Sequence, residues 1–447
     1  MSNATPAAEP TAAYRGWVLF MLVVVYTFNF LDRQIMGILS IPIQEELGFS
    51  DTQLGLMRGV SFALFYATLG VPIALLADRM NRVKIMTAAL VVWSAFTAVC
   101  GLATNFWQMF AARLMVGVGE AGGVAPAYSI VADYHPPQQR ATALAIYSFG
   151  IPIGSAIGIF FGAVIATLID WRAAFIIIGI AGVALAPIFW LTVREPQRGR
   201  FDPPGSKTTP APLRAVLSTL VNKPSFWLLS VGAASSSMMG YGLFAWLPAY
   251  FVRSHGEGLA EALAWLPSFM HLPNASPLLY AGYFYGTIVL IGGVLGIGLG
   301  GVLADKLGKV KRSAYAIIPA VAFLIAAPCF AFGLMSNNLL LQWFVFLLPT
   351  ALSLAWLGPV LAAFQGIVPP NMRATASAVF LLINNLIGIG LGDFLIGLMS
   401  EQLRAAYGDE SLRYSILAGT VFYIVAAVLL LLASTRLAKD WEGEPAK

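Results

Sequence analysis

Two apolar runs long enough to cross a bilayer each carry an acid and a base: Asp32 and Arg33 in one, Arg113 and Glu120 in the other. A charge near the centre of a bilayer costs roughly 2.5–3.5 kcal/mol on insertion scales, so such residues face protein or a wet cavity and usually serve function. The seven-residue spacing of Arg113 and Glu120 sets them within about 20° of one helix face and about 10 Å apart along the axis. Asp32 and Arg33 are adjacent and point about 100° apart. With the first helix running outward and the fourth inward, Asp32 lies about 6 Å and Arg113 about 9 Å outside the midplane. At that shared depth they can pair, while Glu120 falls near the middle. The chemistry this permits is proton exchange. Burial favours a neutral carboxyl and a neighbouring guanidinium favours a charged one, so Asp32 and Glu120 sharing Arg113 form a coupled proton site. An anionic ligand competing for Arg113 or Arg33 would tie its own binding to that proton. The plainer alternatives are helix glue for Arg113 and Glu120 and a structural pair with another helix for Arg33.

Other polar and aromatic residues within apolar runs are candidates for an amphipathic cavity. They are Asn29 and Phe28 in the first run, Tyr128 and Ser129 in the fourth, and Tyr241, Phe244 and Trp246 in the seventh. Trp356 in the tenth and Asn384 and Asn385 in the eleventh complete the set. An aromatic stripe at helical spacing is more often packing or interfacial belt, which is the alternative for each. Arg58, near the outer end of its run, is expected to snorkel to the interface. Asp393, in GLGDFLIG, reads as the cap of a helix break, with titration the alternative. His135, His255 and His271 fall in loops and read as solvated surface residues. The sequence has no phosphate loop, metal-ligand cluster or nucleophile constellation, so no cofactor, metal or ATP-driven step is expected, and no enzyme.

The elements that must position these groups follow from composition. Hydrophobic residues make up 59% of the 447 and charged ones 11%, which excludes an ordinary soluble domain. At about 20 residues per span the chain holds about twelve transmembrane helices. They are read at 16–39, 53–76, 83–103, 106–132, 141–168 and 172–192, then at 225–252, 282–304, 313–334, 339–365, 374–400 and 413–434. The fold class is therefore all-α and membrane-integral. A tail at 1–15 precedes a six-helix bundle at 16–192. A charged, Pro-rich linker at 193–224 leads to a second bundle at 225–434 and a tail at 435–447. Within the linker, Leu213–Leu220 suits a short surface helix, and the outer segment 253–281 suits an amphipathic hairpin. Nineteen Lys and Arg residues fall on the side of the termini and linker against four on the other, so both termini should be cytoplasmic. A net charge of +5 carried by membrane-flanking loops is no nucleic-acid signature. The segment before Gly16 has no cleavable signal pattern, and Cys100 and Cys329 lie within apolar runs, suggesting neither disulfide nor metal.

The two halves repeat one another. PPQQRATA at 136–143 recurs as PPNMRATA at 369–376, and ALLADRMNRVK at 74–84 as GVLADKLGKVK at 301–311. Each pair sits at the same place in its half, after the fourth span and after the second. Parallel repeats about an axis normal to the membrane are a transporter design, with the substrate site between the halves near the midplane.

These residues also carry a family resemblance. GVLADKLGKVKR resembles the loop 2–3 signature of the major facilitator superfamily, and ALLADRMNRVK its degraded counterpart, with Ala74 and Asn81 where glycines are usual. More narrowly, NFLDRQ, DTQLGL, LADRMNRVKIM, VGVGEAGG, APAYSIVADY and SFGIPIGSAIG resemble the spinster-like branch, associated with export of sphingolipids and lysolipids. NFLDR also resembles the organic-anion/proton symporters of the same superfamily. The resemblance implies a monomer in the plasma (inner) membrane. It implies alternating access and cytoplasmic gating, with Asp78 facing the start of span 11 after Arg373 and Asp305 that of span 5 after Arg140. Arg79, Arg82, Asp133 and Arg140 would complete the gate. The reading is a proton-coupled carrier of a lysolipid- or sphingoid-like substrate; the alternative is a symporter of a small organic anion.

Overall fold

The computed structural model describes residues 10–442 except 78, 202–211, 257, 274, 309–310 and 370–371. The side chains of several helical residues, Asp305 among them, also lie outside the described set. The described residues form helices and connections without a strand.

Spans 1–6 are Ala12–Ile38, Asp51–Ala77, Arg82–Cys100, Phe106–Tyr134, Thr142–Leu168 and Trp171–Thr192. Spans 7–10 are Pro224–His255, Pro277–Leu303, Ala314–Met335 and Leu339–Phe364. The final apolar stretch divides at Gly408–Glu410, where Gly408 takes φ +55°, into span 11 ending at Tyr407 and span 12 beginning at Ser411. Side chains define the starts. Asn81, Asn105, Asp170 and Asn338 each accept a hydrogen bond from a first-turn N–H, and Ser50 with Gln53 forms a capping box before span 2.

The same neighbours recur in both halves. Span 1 packs on 5, 2 on 4, and 3 on 4 and 6; span 7 packs on 11, 8 on 10, and 9 on 10 and 12. Adding six to each number converts one set into the other, as the repeated motifs require. The halves meet along two equivalent seams, spans 5 and 8 and spans 2 and 11, with span 1 touching span 7. Glycines allow this closeness. A Cβ on Gly117 would lie 2.6 Å from the Phe62 carbonyl oxygen, and one on Gly59 2.6 Å from that of Gly390 across the seam. Small residues therefore do here what water does for soluble proteins, letting backbones meet where no hydrophobic drive exists.

Several spans are irregular. Span 4 breaks at Ala121–Gly123, directly after Glu120, and its counterpart span 10 at Ala355–Trp356. Spans 2 and 11 each carry a π-helical turn, Leu56–Val60 and Asn384–Ile389. Such turns gather at functional sites because one extra residue re-aims side chains. After Thr192 the linker returns along the first half: Tyr134 donates to the Arg194 carbonyl at 2.8 Å and Tyr14 to that of Thr192 at 3.0 Å. The expected surface helix is present at Leu213–Val221. The end of the bundle bearing the linker is called here the linker face, and the opposite end the far face. At the far face the 253–281 segment forms a short helix, Gly258–Ala262, and a turn, Ser268–Met270, with Trp265 and Phe269 exposed.

Candidate functional site

Arg33 leaves span 1 toward span 4 and donates from Nε to Oε2 of Glu120 at 2.8 Å. Glu120 is fully buried, and the guanidinium lies 5.0, 4.7 and 4.6 Å from the rings of Phe30, Phe62 and Tyr66. A cation flanked by aromatic faces and one carboxylate makes favourable use of the ring quadrupole. Asp32 and Arg113 are buried beside this pair, yet neither carboxylate oxygen of Asp32, nor Nε or Nη1 of Arg113, has a hydrogen-bond partner. The expected Asp32–Arg113 pairing is thus replaced by Arg33–Glu120. Depth along the axis was a correct guide to which helices meet; it ignored the reach of an arginine, which carries its charge a full turn from its own Cα.

A cavity of about 30 Å³ adjoins the pair, room for one or two water-sized particles. Arg33, Arg58, Arg113, Tyr241, Phe244 and Asp393 contribute to its walls, so spans of both halves enclose it. Tyr241 and Phe244, cavity candidates from the sequence, are among these wall residues. Arg58 does not snorkel: it is 4% exposed, its guanidinium lies 3.9 Å from the Trp246 ring, and Nη1 reaches the Ala245 carbonyl at 3.4 Å. The π-turn that contains it points it inward. Asp393 is buried with Oδ1 unpartnered, and it is its backbone carbonyl that accepts from the Trp246 indole, at 3.0 Å.

Tyrosines extend the site. Tyr26 stacks on Tyr147 at 4.3 Å, Tyr128 meets Tyr147 edge-on at 5.7 Å, and Tyr66 stacks on Phe62 at 5.1 Å. Tyr128 remains 38% exposed, so this cluster keeps an open side. The sequence reading missed Tyr26, Tyr66 and Tyr147, although Tyr26, Asn29 and Arg33 at spacings of three and four share a helix face. Asn29 is buried with Oδ1 unpartnered. Three expected cavity residues lie elsewhere. Ser129 accepts from Arg82, Asn384 is bound by Ser237 of span 7 at 2.9 Å, and Trp356 is buried at the break of span 10.

Of the expected gate, Asp78 and the side chain of Asp305 lie outside the described residues, while Arg79 and Arg373 are exposed. Arg82 is buried and bonds Asp133 and Glu195 at 2.6 Å each, and Asp133 also accepts from the Gly199 N–H at 3.0 Å. These contacts sew spans 3 and 4 to the linker. Arg140 donates to the carbonyls of Ala132 and His135. His135 is buried rather than solvated; loss of water holds its imidazole below the ordinary histidine value. His271 likewise is engaged, against Tyr280 and the Leu266 carbonyl.

An ion pair between the halves was not foreseen. At the far face Arg253, closing span 7, donates to both oxygens of Asp51, opening span 2, at 2.6 and 2.8 Å. Asp51 also accepts from Ser400 of span 11 and from Gln44, each at 2.7 Å, and Glu401 accepts from the Thr52 N–H at 3.1 Å. Asp51 is fully buried. The sequence signal was available, a charge at the outer end of each of two spans, but nothing in the sequence pairs them.

Helical repeats, two seams and a buried charge cluster between halves define a secondary transporter, and the comparisons agree. The profile of the Major Facilitator Superfamily matches residues 21–393, and the chain belongs to that family, within its spinster-like branch. It is 30% identical over 438 residues to an MFS-type efflux pump of Mycolicibacterium smegmatis, covering 98% of this chain and 96% of the relative. It is 30% identical over 402 residues to Protein spinster homolog 1 of Mus musculus, covering 87% and 74%. Among solved structures, a bacterial homolog of the human lysosomal transporter Spinster, inward-facing and unoccupied, superposes with a TM-score of 0.81 at 31% identity, covering 97% of this chain and all of that one. The chain is a transporter and not an enzyme.

Proposed function

We propose that this transporter moves a single-chain amphipathic lipid, lysolipid- or sphingoid-like, coupled to protons at Asp32 and Glu120. One observation carries the reading: the buried Arg33–Glu120 pair beside an Asp32 whose carboxylate oxygens have no hydrogen-bond partner. An anionic head arriving from the open side of the tyrosine cluster takes Arg33 from Glu120, and the released carboxyl, buried in aromatic surroundings, takes a proton. Departure of the head lets the ion pair re-form. Substrate and proton thus act on the same two side chains. The tyrosine faces suit an aliphatic chain, and the mouse relative is a spinster homolog.

The far-face contacts belong to a state closed on that side and open toward the linker, in keeping with the inward-facing homolog. Breaking Asp51–Arg253 and closing the linker face, with Asp78, Arg79, Asp305 and Arg373 as gating residues, gives the other state. The linker and both termini are cytoplasmic, the membrane is the plasma (inner) membrane, and the monomer is the working unit. The test is flux in liposomes holding the purified chain, comparing lysophospholipids, sphingoid phosphates and sugar acids across imposed pH gradients. Lipid flux that responds to the gradient supports the reading. Uptake of sugar acids alone overturns the substrate class, and flux indifferent to pH overturns the coupling.

A further inference from the structure

Three arginines reach one small cavity, and only one of them has an acid of its own. Arg33 is matched by Glu120 at 2.8 Å. Arg58 and Arg113 are 4% and 2% exposed, and each has two nitrogens without a hydrogen-bond partner, Nε and Nη2 of Arg58 and Nε and Nη1 of Arg113. The carboxylate that shares their cavity, Asp393, is in ion-pair contact with neither among the described residues and leaves Oδ1 unpartnered. Buried guanidinium donors without an acceptor are costly, because desolvation is not repaid by any hydrogen bond. The space they border is small, about 30 Å³, and suits a particle of one or two waters' size. From the residues on its walls we infer that the cavity between Arg58, Arg113 and Asp393 binds a monatomic inorganic anion, of chloride or bromide size, as a ligand separate from the transported substrate.

Charge balance adds a condition. Arg33 of span 1, Arg58 of span 2, Arg113 of span 4 and Asp393 of span 11 line the cavity, and Asp32 of span 1 and Glu120 of span 4 are buried next to Arg33 and Arg113. Span 7 contributes the uncharged Tyr241 and Phe244. Asp51 and Arg253 farther out neutralise each other. With all acids ionised the three arginines are balanced, so the anion enters together with a proton on one of the acids, and its affinity rises as pH falls. Asp393, the acid on the cavity wall, opposes the anion most directly. Removing that charge strengthens binding, and removing Arg58 weakens it.

The experiment measures thermal unfolding of the full-length protein in lipid nanodiscs, without substrate or gradient, while chloride or bromide replaces gluconate at constant ionic strength. Gluconate is too large for the cavity. Saturable stabilisation by chloride and bromide is expected, with apparent affinity raised roughly tenfold or more in Asp393→Asn and lost in Arg58→Gln. Bromide should also give an anomalous diffraction peak between Arg58 and Arg113. Should Arg58→Gln fail to fold, the Asp393→Asn shift decides alone, because a merely structural role gives no gain of affinity. Equal melting in all anions, non-saturating effects unchanged in Asp393→Asn, or bromide found only at the surface would overturn the site. None of these outcomes depends on which substrate is carried.

Discussion

Replacing Arg253 by alanine tests whether the far-face contact is a gate. In the present state Asp51 is fully buried and accepts from Arg253 twice, from Ser400 and from Gln44. Removing one partner of a buried ion pair costs about 3–5 kcal/mol, because the other charge stays behind in low dielectric. Ser400 and Gln44 remain as donors, so the lower end, about 3 kcal/mol, applies. Asp51 belongs to the first half, while Arg253 and Ser400 belong to the second. The cost therefore falls only on the state in which the halves meet; once they part, Asp51 faces water. At tenfold per 1.4 kcal/mol this amounts to about 150-fold, enough to bring an equilibrium of roughly 99:1 close to even. Spin labels at Trp107 and Arg404, exposed far-face positions of opposite halves, report the separation by pulsed electron resonance. A second, longer distance of comparable weight is expected. An unchanged distance distribution in a protein that simply melts earlier would refute the gate and leave the pair as a structural tie.

Three further outcomes follow from the same geometry. Glu120→Gln keeps the shape and an acceptor for Arg33 but cannot titrate, so pH-driven flux in liposomes should be lost while substrate binding persists; retained accumulation driven by pH alone removes Glu120 from the coupling. Gly154→Ala, within the first half, presses a Cβ on the Thr27 carbonyl oxygen and should lower stability by about 1–3 kcal/mol. Gly59→Ala, whose Cβ would meet Gly390 across the seam, should instead lengthen far-face distances, and equal loss of melting temperature in both variants without a distance change would sink that distinction. A cysteine replacing the exposed Leu213 should react with an impermeant thiol reagent only from the cytoplasmic side, and labelling of intact cells from outside would contradict the orientation.

How far the sequence alone reached can be traced through particular residues. Apolar runs of fixed length, caps such as Asn81 and Asp170, and the paired RATA and LAD motifs determined a two-bundle helical membrane protein, because each is a local property of the chain. The ions within those runs marked for the same reason where buried charges gather, since a charge in lipid is costly unless protein or water surrounds it. Which ions meet was another matter. Arg33 rather than Arg113 holds Glu120, Arg58 turns inward instead of snorkelling, and Ser129 serves Arg82. Each outcome depends on helix rotation, on π-turns at Leu56–Val60 and Asn384–Ile389, and on side-chain reach, none of which a period of 3.6 records. The Asp51–Arg253 contact joins residues 202 positions apart in sequence, at ends of spans from different halves. Only the docking of the two bundles brings them together, since the far-face lock is a property of one arrangement of the halves and not of either half alone.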